Sequence, residues 1–391
     1  MTETSSPFLP GRHLLQLPGP TNVPDAVLKS MAEPTIDHRG PDFPELTRTV
    51  ISGLQQVFQT TGPVLIYPGS GTGAWEAALV NTCSPGDRVL SYETGHFAVL
   101  WAQMAERLGL VVERAGADWR RGIDAAAIGE RLGEDAGHEV KAVLVTHNET
   151  STGALSDVAA VRAAIDAAGH PALLLVDAVS SLGSLAYQHD AWGVDVTVAA
   201  SQKGLMLPPG LCFNAVSERA LAAATTARLP RAYWDWEPML EFNARGYFPY
   251  TPATNLLFAL RTSLRRLEAE GLGAVDARHR RHAAATRAAA AAWGLELQCA
   301  DPSAYSPTLT ALVMPEGHDE AALRRVVRER FGLVLGSGLG RLAGRVFRIG
   351  HLGDLDDLTL VAVLAGVERG LALAGVPHEG GGIAAAVGAL G

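Results

Sequence analysis

The turn Pro68-Gly69-Ser70-Gly71-Thr72-Gly73 stands directly after a strand-like run, 64–67, and directly before a helical stretch, 72–82. Glycines let a backbone bend sharply and approach a ligand, and a helix start presents unpaired N–H groups. With the hydroxyls of Ser70 and Thr72 as added donors, such a turn suits a phosphate. A plain strand-to-helix turn capped by Thr72 would look similar. So would a dinucleotide fingerprint, Gly69-x-Gly71-x-x-Ala74, with Glu93 about twenty residues on as the ribose-binding acid.

Two further side chains bear on that choice. Asp177 closes the strand-like run 173–176, and Lys203 follows the run through Ala199-Ala200-Ser201-Gln202. Both therefore stand at C-terminal ends of expected parallel strands, where open α/β sheets bind ligands. Taken singly, a strand-end aspartate is often a helix cap and a loop lysine is usually a solvated charge. Together with the glycine turn they make the set that pyridoxal phosphate requires. A lysine amine condenses with the aldehyde, a carboxylate keeps the pyridine nitrogen protonated, and a helix start holds the phosphate. Lysine is scarce in this arginine-rich chain, yet Lys203 is flanked by apolar residues in Ser201-Gln202-Lys203-Gly204-Leu205. A partly buried amine has a depressed pKa and becomes a competent nucleophile. A nicotinamide dehydrogenase, the rival from another enzyme class, gives Lys203 no role and would normally carry its fingerprint on the first strand.

The elements that must position these groups alternate. Strand-like runs at 64–67, 88–91, 110–112, 142–145, 173–176 and 194–199 are separated for the most part by helical stretches at 72–82, 97–108, 124–132 and 157–168. Nearly continuous apolar strands between helices indicate a mostly parallel sheet covered on both faces. An earlier helix, 44–59, places Leu46, Val50, Leu54 and Val57 on one face. The alternating pattern ends near Arg228. Long helical patterns at 255–270 and 275–293 follow, then strand-like 310–314, a helix at 319–331, strand-like 345–349 and a last helix at 354–374. The expected organisation is an extended N-terminal segment, 1–22, a large α/β domain, 23–270, and a smaller α+β domain, 271–391. The glycine- and alanine-rich tail after Gly380 suggests no function.

The chain has 391 residues, 48% of them hydrophobic and 19% charged, with a formal net charge of −9. Its basic residues are scattered, which argues against a nucleic-acid or anionic-membrane surface. Cys83, Cys212 and Cys299 lie in apolar stretches without metal or redox spacing, so no metal is expected. No apolar run is long enough to span a membrane, and residues 1–10 lack the pattern of a signal peptide. A cytoplasmic location follows as an expectation.

With Asp177 and Lys203 in place, the sequence resembles the class V aminotransferases, and within them the serine–glyoxylate group. The resemblance runs from Pro18-Gly19-Pro20-Thr21-Asn22 to Arg348-Ile349-Gly350-His351-Leu352-Gly353. Between them lie Gly69-Ser70-Gly71-Thr72-Gly73-Ala74-Trp75-Glu76, His147-Asn148-Glu149-Thr150, Val176-Asp177, Gly193-Val194-Asp195 and Ser201-Gln202-Lys203. It implies the type I fold of pyridoxal-phosphate-dependent transferases, with a seven-stranded type of sheet and a smaller C-terminal domain. It further implies Lys203 as the Schiff-base lysine and Asp177 as the pyridinium partner. Ser70, Gly71 and Thr72, assisted by Gln202, would hold the phosphate, and Thr150 would lie near the phenolic oxygen. Thr251 would reach the phosphate of a neighbouring subunit, making the active unit a homodimer. Arg348 would grip the substrate α-carboxylate, with Asn22 and Arg39 also on the substrate side. Phe97 departs from some relatives, which stack a tryptophan there, but still offers an aromatic face; Trp75, Trp101 and Trp192 are read as core.

The implied reaction moves the amino group of L-serine or L-alanine to glyoxylate. Aspartate as donor would need another cation, for which His38 and Arg39 are candidates unless Asp37 and Arg39 merely pair on the surface. A lyase on the same fold, such as a cysteine desulfurase, would need a thiol on a mobile loop, and none of the three cysteines is so placed.

Overall fold

The alternating runs of the first half build one seven-stranded sheet in a computed structural model that describes residues 13–391. The expectation for residues 1–10 lies outside the described residues. In chain order the elements run β1 (Leu14–Gln16), α1 (Asp25–Met31), α2 (Phe43–Phe58), β2 (Val64–Gly69), α3 (Gly71–Thr82), β3 (Arg88–Tyr92), α4 (His96–Arg107) and β4 (Val111–Ala115). Next come α5 (Ala125–Gly133), β5 (Val140–Thr146), the short pair β6 (Asn148–Glu149) and β7 (Ala154–Leu155), α6 (Val158–Ala167), β8 (Leu173–Asp177), β9 (Val196–Ala200) and β10 (Gly210–Val216). Helices α7 (Glu218–Ala224), α8 (Trp236–Ala244), α9 (Thr254–Glu270) and α10 (Leu272–Ala292) lead to β11 (Leu309–Val313), α11 (Glu320–Phe331), β12 (Leu333–Ser337), β13 (Val346–Gly350), α12 (Asp357–Leu373) and α13 (Gly382–Leu390).

The large sheet has the order β2-β10-β9-β8-β5-β3-β4. Only β10 runs against the rest, since it is antiparallel to both β2 and β9 while every other pairing is parallel. Two reversals cancel, so β2 ends at the same edge as β9 and β8. That cancellation brings the glycine turn, Asp177 and Lys203 to one side. The central strands are buried along their whole length, as 173–177 and 196–200 show, because helices cover both faces. Helix α2 buries the expected Leu46, Val50, Leu54 and Val57. Helix α3 has no polar face; its alanines let it lie close against the sheet, with Gly71, Ala74, Trp75, Ala77 and Ala78 all buried.

The second sheet has the order β1-β12-β13-β11. Residues 14–16, taken as part of an extended segment, pair in parallel with 333–335 of β12. The chain then crosses to the large sheet, where the Thr21 N–H donates to the Gln202 carbonyl and the Thr21 hydroxyl to the Lys203 carbonyl. A three-residue strand leaves too little periodicity to be read. The tail is also structured: α13 packs on α10 and α12. At its start Gly382 lies so close to Trp293 that a side chain would overlap the indole. The Trp293 indole N–H donates to Glu368 at 2.7 Å. No helix among the described residues is long and apolar enough to cross a membrane.

Candidate active site

The C-terminal edge of the large sheet opens into a cavity of about 150 Å3. Ser70, Gly71, Thr72, Trp75, Phe97, Asn148, Thr150, Asp177, Val179, Ser180, Gln202 and Lys203 line it. Eight of these are the expected cofactor contacts, drawn from five separate segments of the chain.

At one end lies the start of α3. Ser70 is its N-cap residue in extended conformation, but its hydroxyl makes no capping bond. The Gly71 and Thr72 N–H groups have no acceptor among the described residues, as expected for the first positions of a helix. A side chain at Gly71 would meet Val179 at 2.7 Å, so the backbone there must stay bare. Ser70 and Thr72 are exposed at the mouth.

Asp177 also lines the cavity and is paired across the sheet with Thr146 and Val198. Its Oδ1 accepts from the Val179 N–H at 2.8 Å. Burial pushes its carboxyl up to about 7, with the Val179 bond opposing, the charge of Glu149 adding and that of Lys203 opposing. Lys203 turns its amine inward to the Pro18 carbonyl. Burial brings the amine down to about 8; nearby Arg348 adds to the drop and Asp177 opposes it. Gly19, with φ of +100°, leaves room for the lysine stem, which any side chain there would strike.

Arg348, on β13 of the second sheet, is not a lining residue but is joined to one, Thr150. Its Nε donates to the Ser337 carbonyl at 2.8 Å and its Nη1 to the Thr150 carbonyl at 2.7 Å. It has no ion-pair partner among the described residues, and burial lowers its pKa to about 10.

Several other expected residues are not brought here. Asn22 bonds the backbone of Leu15 through both ends of its amide, at 3.3 and 3.1 Å, and lines a different cavity. Arg39 is exposed; only its backbone N–H contacts Asp37, so the alternative, a side-chain pair between them, does not form either. Thr251 is exposed and outside the cavity of its own chain. Conversely, Asn148, Val179, Ser180 and Trp75 were not anticipated as lining residues. Trp75 was read as core, and it is buried, stacked on Trp101 at 5.9 Å and edge-on to Phe97 at 6.4 Å. Periodicity could not separate a core tryptophan from one whose edge faces a cavity; for Asn148 the available signal was its place beside Thr150 in His147-Asn148-Glu149-Thr150.

The fit to pyridoxal phosphate can be tested on unmet polar groups. Gln202 Oε1 and Asn148 Oδ1 are buried without partners, and buried polar atoms are normally paired. Beside them stand an open helix start for a dianion, a carboxylate for a ring nitrogen and an amine for an aldehyde. The donor set fits the group.

Residues 14–341 match the family model described as aminotransferase class V. The chain belongs to that family. A serine–glyoxylate aminotransferase of Methylorubrum extorquens is 49% identical over 384 residues, 96% of each chain. An L-aspartate–glyoxylate aminotransferase of Paracoccus denitrificans is 46% identical, covering 95% of this chain and 94% of that one. Among solved structures, the ureidoglycine–glyoxylate aminotransferase of Bacillus subtilis superposes with a TM-score of 0.89 at 28% identity, over 98% and 99% of the two chains. This class V aminotransferase is a pyridoxal-phosphate-dependent transaminase of the α/β type. The dinucleotide reading of Gly69 to Ala74 falls with it. In the structure that turn lies on β2, an edge strand of the sheet. Glu93, the would-be ribose acid, is ion-paired with Arg114. The three cysteines are buried, and burial raises the pKa of each thiol, which suits core packing and not a mobile nucleophile.

Proposed function

We propose that the chain moves the amino group of L-serine, and secondarily L-alanine, to glyoxylate, releasing glycine and hydroxypyruvate or pyruvate. The observation that carries this reading is Arg348, a buried guanidinium beside Lys203 with no ion-pair partner among the described residues. An unpaired buried cation is costly, and a substrate α-carboxylate would neutralise it. Two carbonyls occupy Nε and one hydrogen of Nη1, leaving hydrogens on Nη1 and Nη2 for an end-on, bidentate grip. The cavity lining itself holds no arginine or histidine, and Arg348 adjoins it through Thr150, which favours a donor with a small uncharged side chain. Aspartate would need a further cation, such as Arg39 of a second copy.

Bound pyridoxal phosphate supplies an aldehyde that takes up and returns an amino group, and a ring that draws electrons from the α-carbon. Lys203 would anchor it covalently; once displaced by the donor, its Nζ carries the proton from the substrate α-carbon. Asp177 would face the ring nitrogen and Phe97 would cover one ring face. Thr150 would bond the phenolic oxygen. Ser70, Gly71, Thr72 and Gln202 would hold the phosphate at the start of α3. Its exposed side would be closed by Thr251 of a second subunit, so the working unit would be a homodimer.

Steady-state rates with serine, alanine and aspartate against glyoxylate test the donor order; a clear preference for aspartate would overturn it. Arg348→Lys should raise the KM for the donor roughly tenfold or more, because an ammonium cannot reproduce the fork. An unchanged KM would move the carboxylate grip to another residue. Lys203 also sets a pH dependence. With its amine at about 8 instead of the ordinary 10.5, capture of added pyridoxal phosphate by apoprotein should accelerate through about pH 8 as the neutral amine forms. Stopped-flow absorbance reads this, and acceleration only above about pH 10 would mark an ordinary solvated lysine.

A further inference from the structure

Glu149 has no part in the reading above, yet it is more completely buried than Asp177. Its two carboxylate oxygens accept four hydrogen bonds. Oε2 receives the N–H groups of Phe97 and Ala98 at 3.1 and 3.2 Å. Oε1 receives the N–H and hydroxyl of Ser151 at 3.0 and 2.7 Å. The Ser151 hydroxyl in turn accepts from the His96 N–H at 2.9 Å.

These bonds replace a missing cap. Helix α4 starts after Gly95, which has no side chain with which to satisfy the first N–H groups. A side chain at Gly95 would overlap Glu149, so the glycine makes way for a cap delivered from another segment. The tied groups matter because of their neighbours. Phe97, on the capped turn, lines the cavity. Thr150, next to Glu149 in the chain, lines it too, and its carbonyl holds Arg348 Nη1.

We infer that Glu149 is a positioning residue: one buried carboxylate keeps the aromatic wall at Phe97 and the Thr150–Arg348 contact in register. Its charge also offsets the burial of Arg348. The inference rests on the proposed role of Arg348 for its substrate arm and on Phe97 for its cofactor arm.

Glu149→Asp tests it, keeping the charge but withdrawing the carboxylate by one methylene from the Phe97 and Ala98 N–H groups. In a protein that stays folded by circular dichroism, the dissociation constant for pyridoxal phosphate, titrated into apoprotein, should rise roughly tenfold, and the donor KM by a similar factor. A merely structural carboxylate would lower the melting temperature and leave both constants unchanged; that result overturns the inference. A rise in the cofactor constant alone would overturn the arm running to Arg348. If Glu149→Asp does not fold, Ser151→Ala removes one donor to Glu149 and the acceptor for His96, and should raise both constants about threefold; unchanged constants there also overturn it. Should Arg348→Lys leave the donor KM unchanged while Glu149→Asp weakens cofactor binding, the reading of Arg348 fails and the cofactor arm of Glu149 stands.

Discussion

Lys203→Ala is expected to lower turnover roughly 10^3-fold or more, because on the proposed mechanism it removes both the covalent anchor and the base that moves the α-proton. The rest of the cavity remains: the open start of α3, Asp177, Phe97 and Gln202 are untouched by the change. The variant should therefore still bind pyridoxal phosphate, now without a covalent link. Wild-type protein should absorb near about 410–430 nm and become irreversibly fixed to its cofactor by borohydride. The alanine variant should release the cofactor on denaturation after the same treatment. Turnover at the wild-type rate would remove Lys203 from the chemistry altogether.

Asp177→Asn should lower turnover by roughly 10^2-fold, the usual cost of deleting one buried electrostatic partner from a reacting centre. The amide keeps the volume and can keep the contact with the Val179 N–H, so loss of activity would reflect loss of charge. Stability of the apoprotein moves the other way. Burial raises the folded carboxyl from 3.8 to about 7, whereas the unfolded chain gives up this proton near the ordinary value. Between those pH values the folded state binds more protons, so this group's contribution is full below about 4 and is lost as pH rises through about 7. The Asn variant has no such loss. Its melting temperature relative to wild-type apoprotein should therefore climb between about pH 4 and pH 7, as read by differential scanning calorimetry. A constant difference across that window would mean that Asp177 is not held in its protonated form by burial.

How far the site could be read in advance depended on the kind of residue. Asp177 and Lys203 were legible because strand ends in an α/β sheet are functional places by geometry, and because a lysine between apolar neighbours is conspicuous in an arginine-rich chain. The phosphate turn was legible as a turn, but its chemistry was ambiguous; the same glycines serve a dinucleotide. Asn22 and Arg39 lie outside the cavity of this chain, and polar residues in a loop give no direction by which the sequence could place them. The amide of Asn22 closes a local bond to Leu15, and Arg39 points to the surface.

By itself the amino-acid order determined the element types, the α/β class and the candidate pair Asp177 and Lys203, which line one cavity. These depend on local periodicity, on apolar runs and on residue chemistry, all of which survive in one dimension. Only the tertiary structure decided that β10 runs against its neighbours and so returns the glycine turn to the edge that carries Asp177 and Lys203. It alone placed residues 14–16 in the second sheet, brought Arg348 to the Thr150 carbonyl and capped α4 with Glu149. Each of these contacts joins residues far apart in the chain. The reason is that a buried backbone donor or an unpaired charge must find a partner wherever packing supplies one, and no local pattern records which partner that will be.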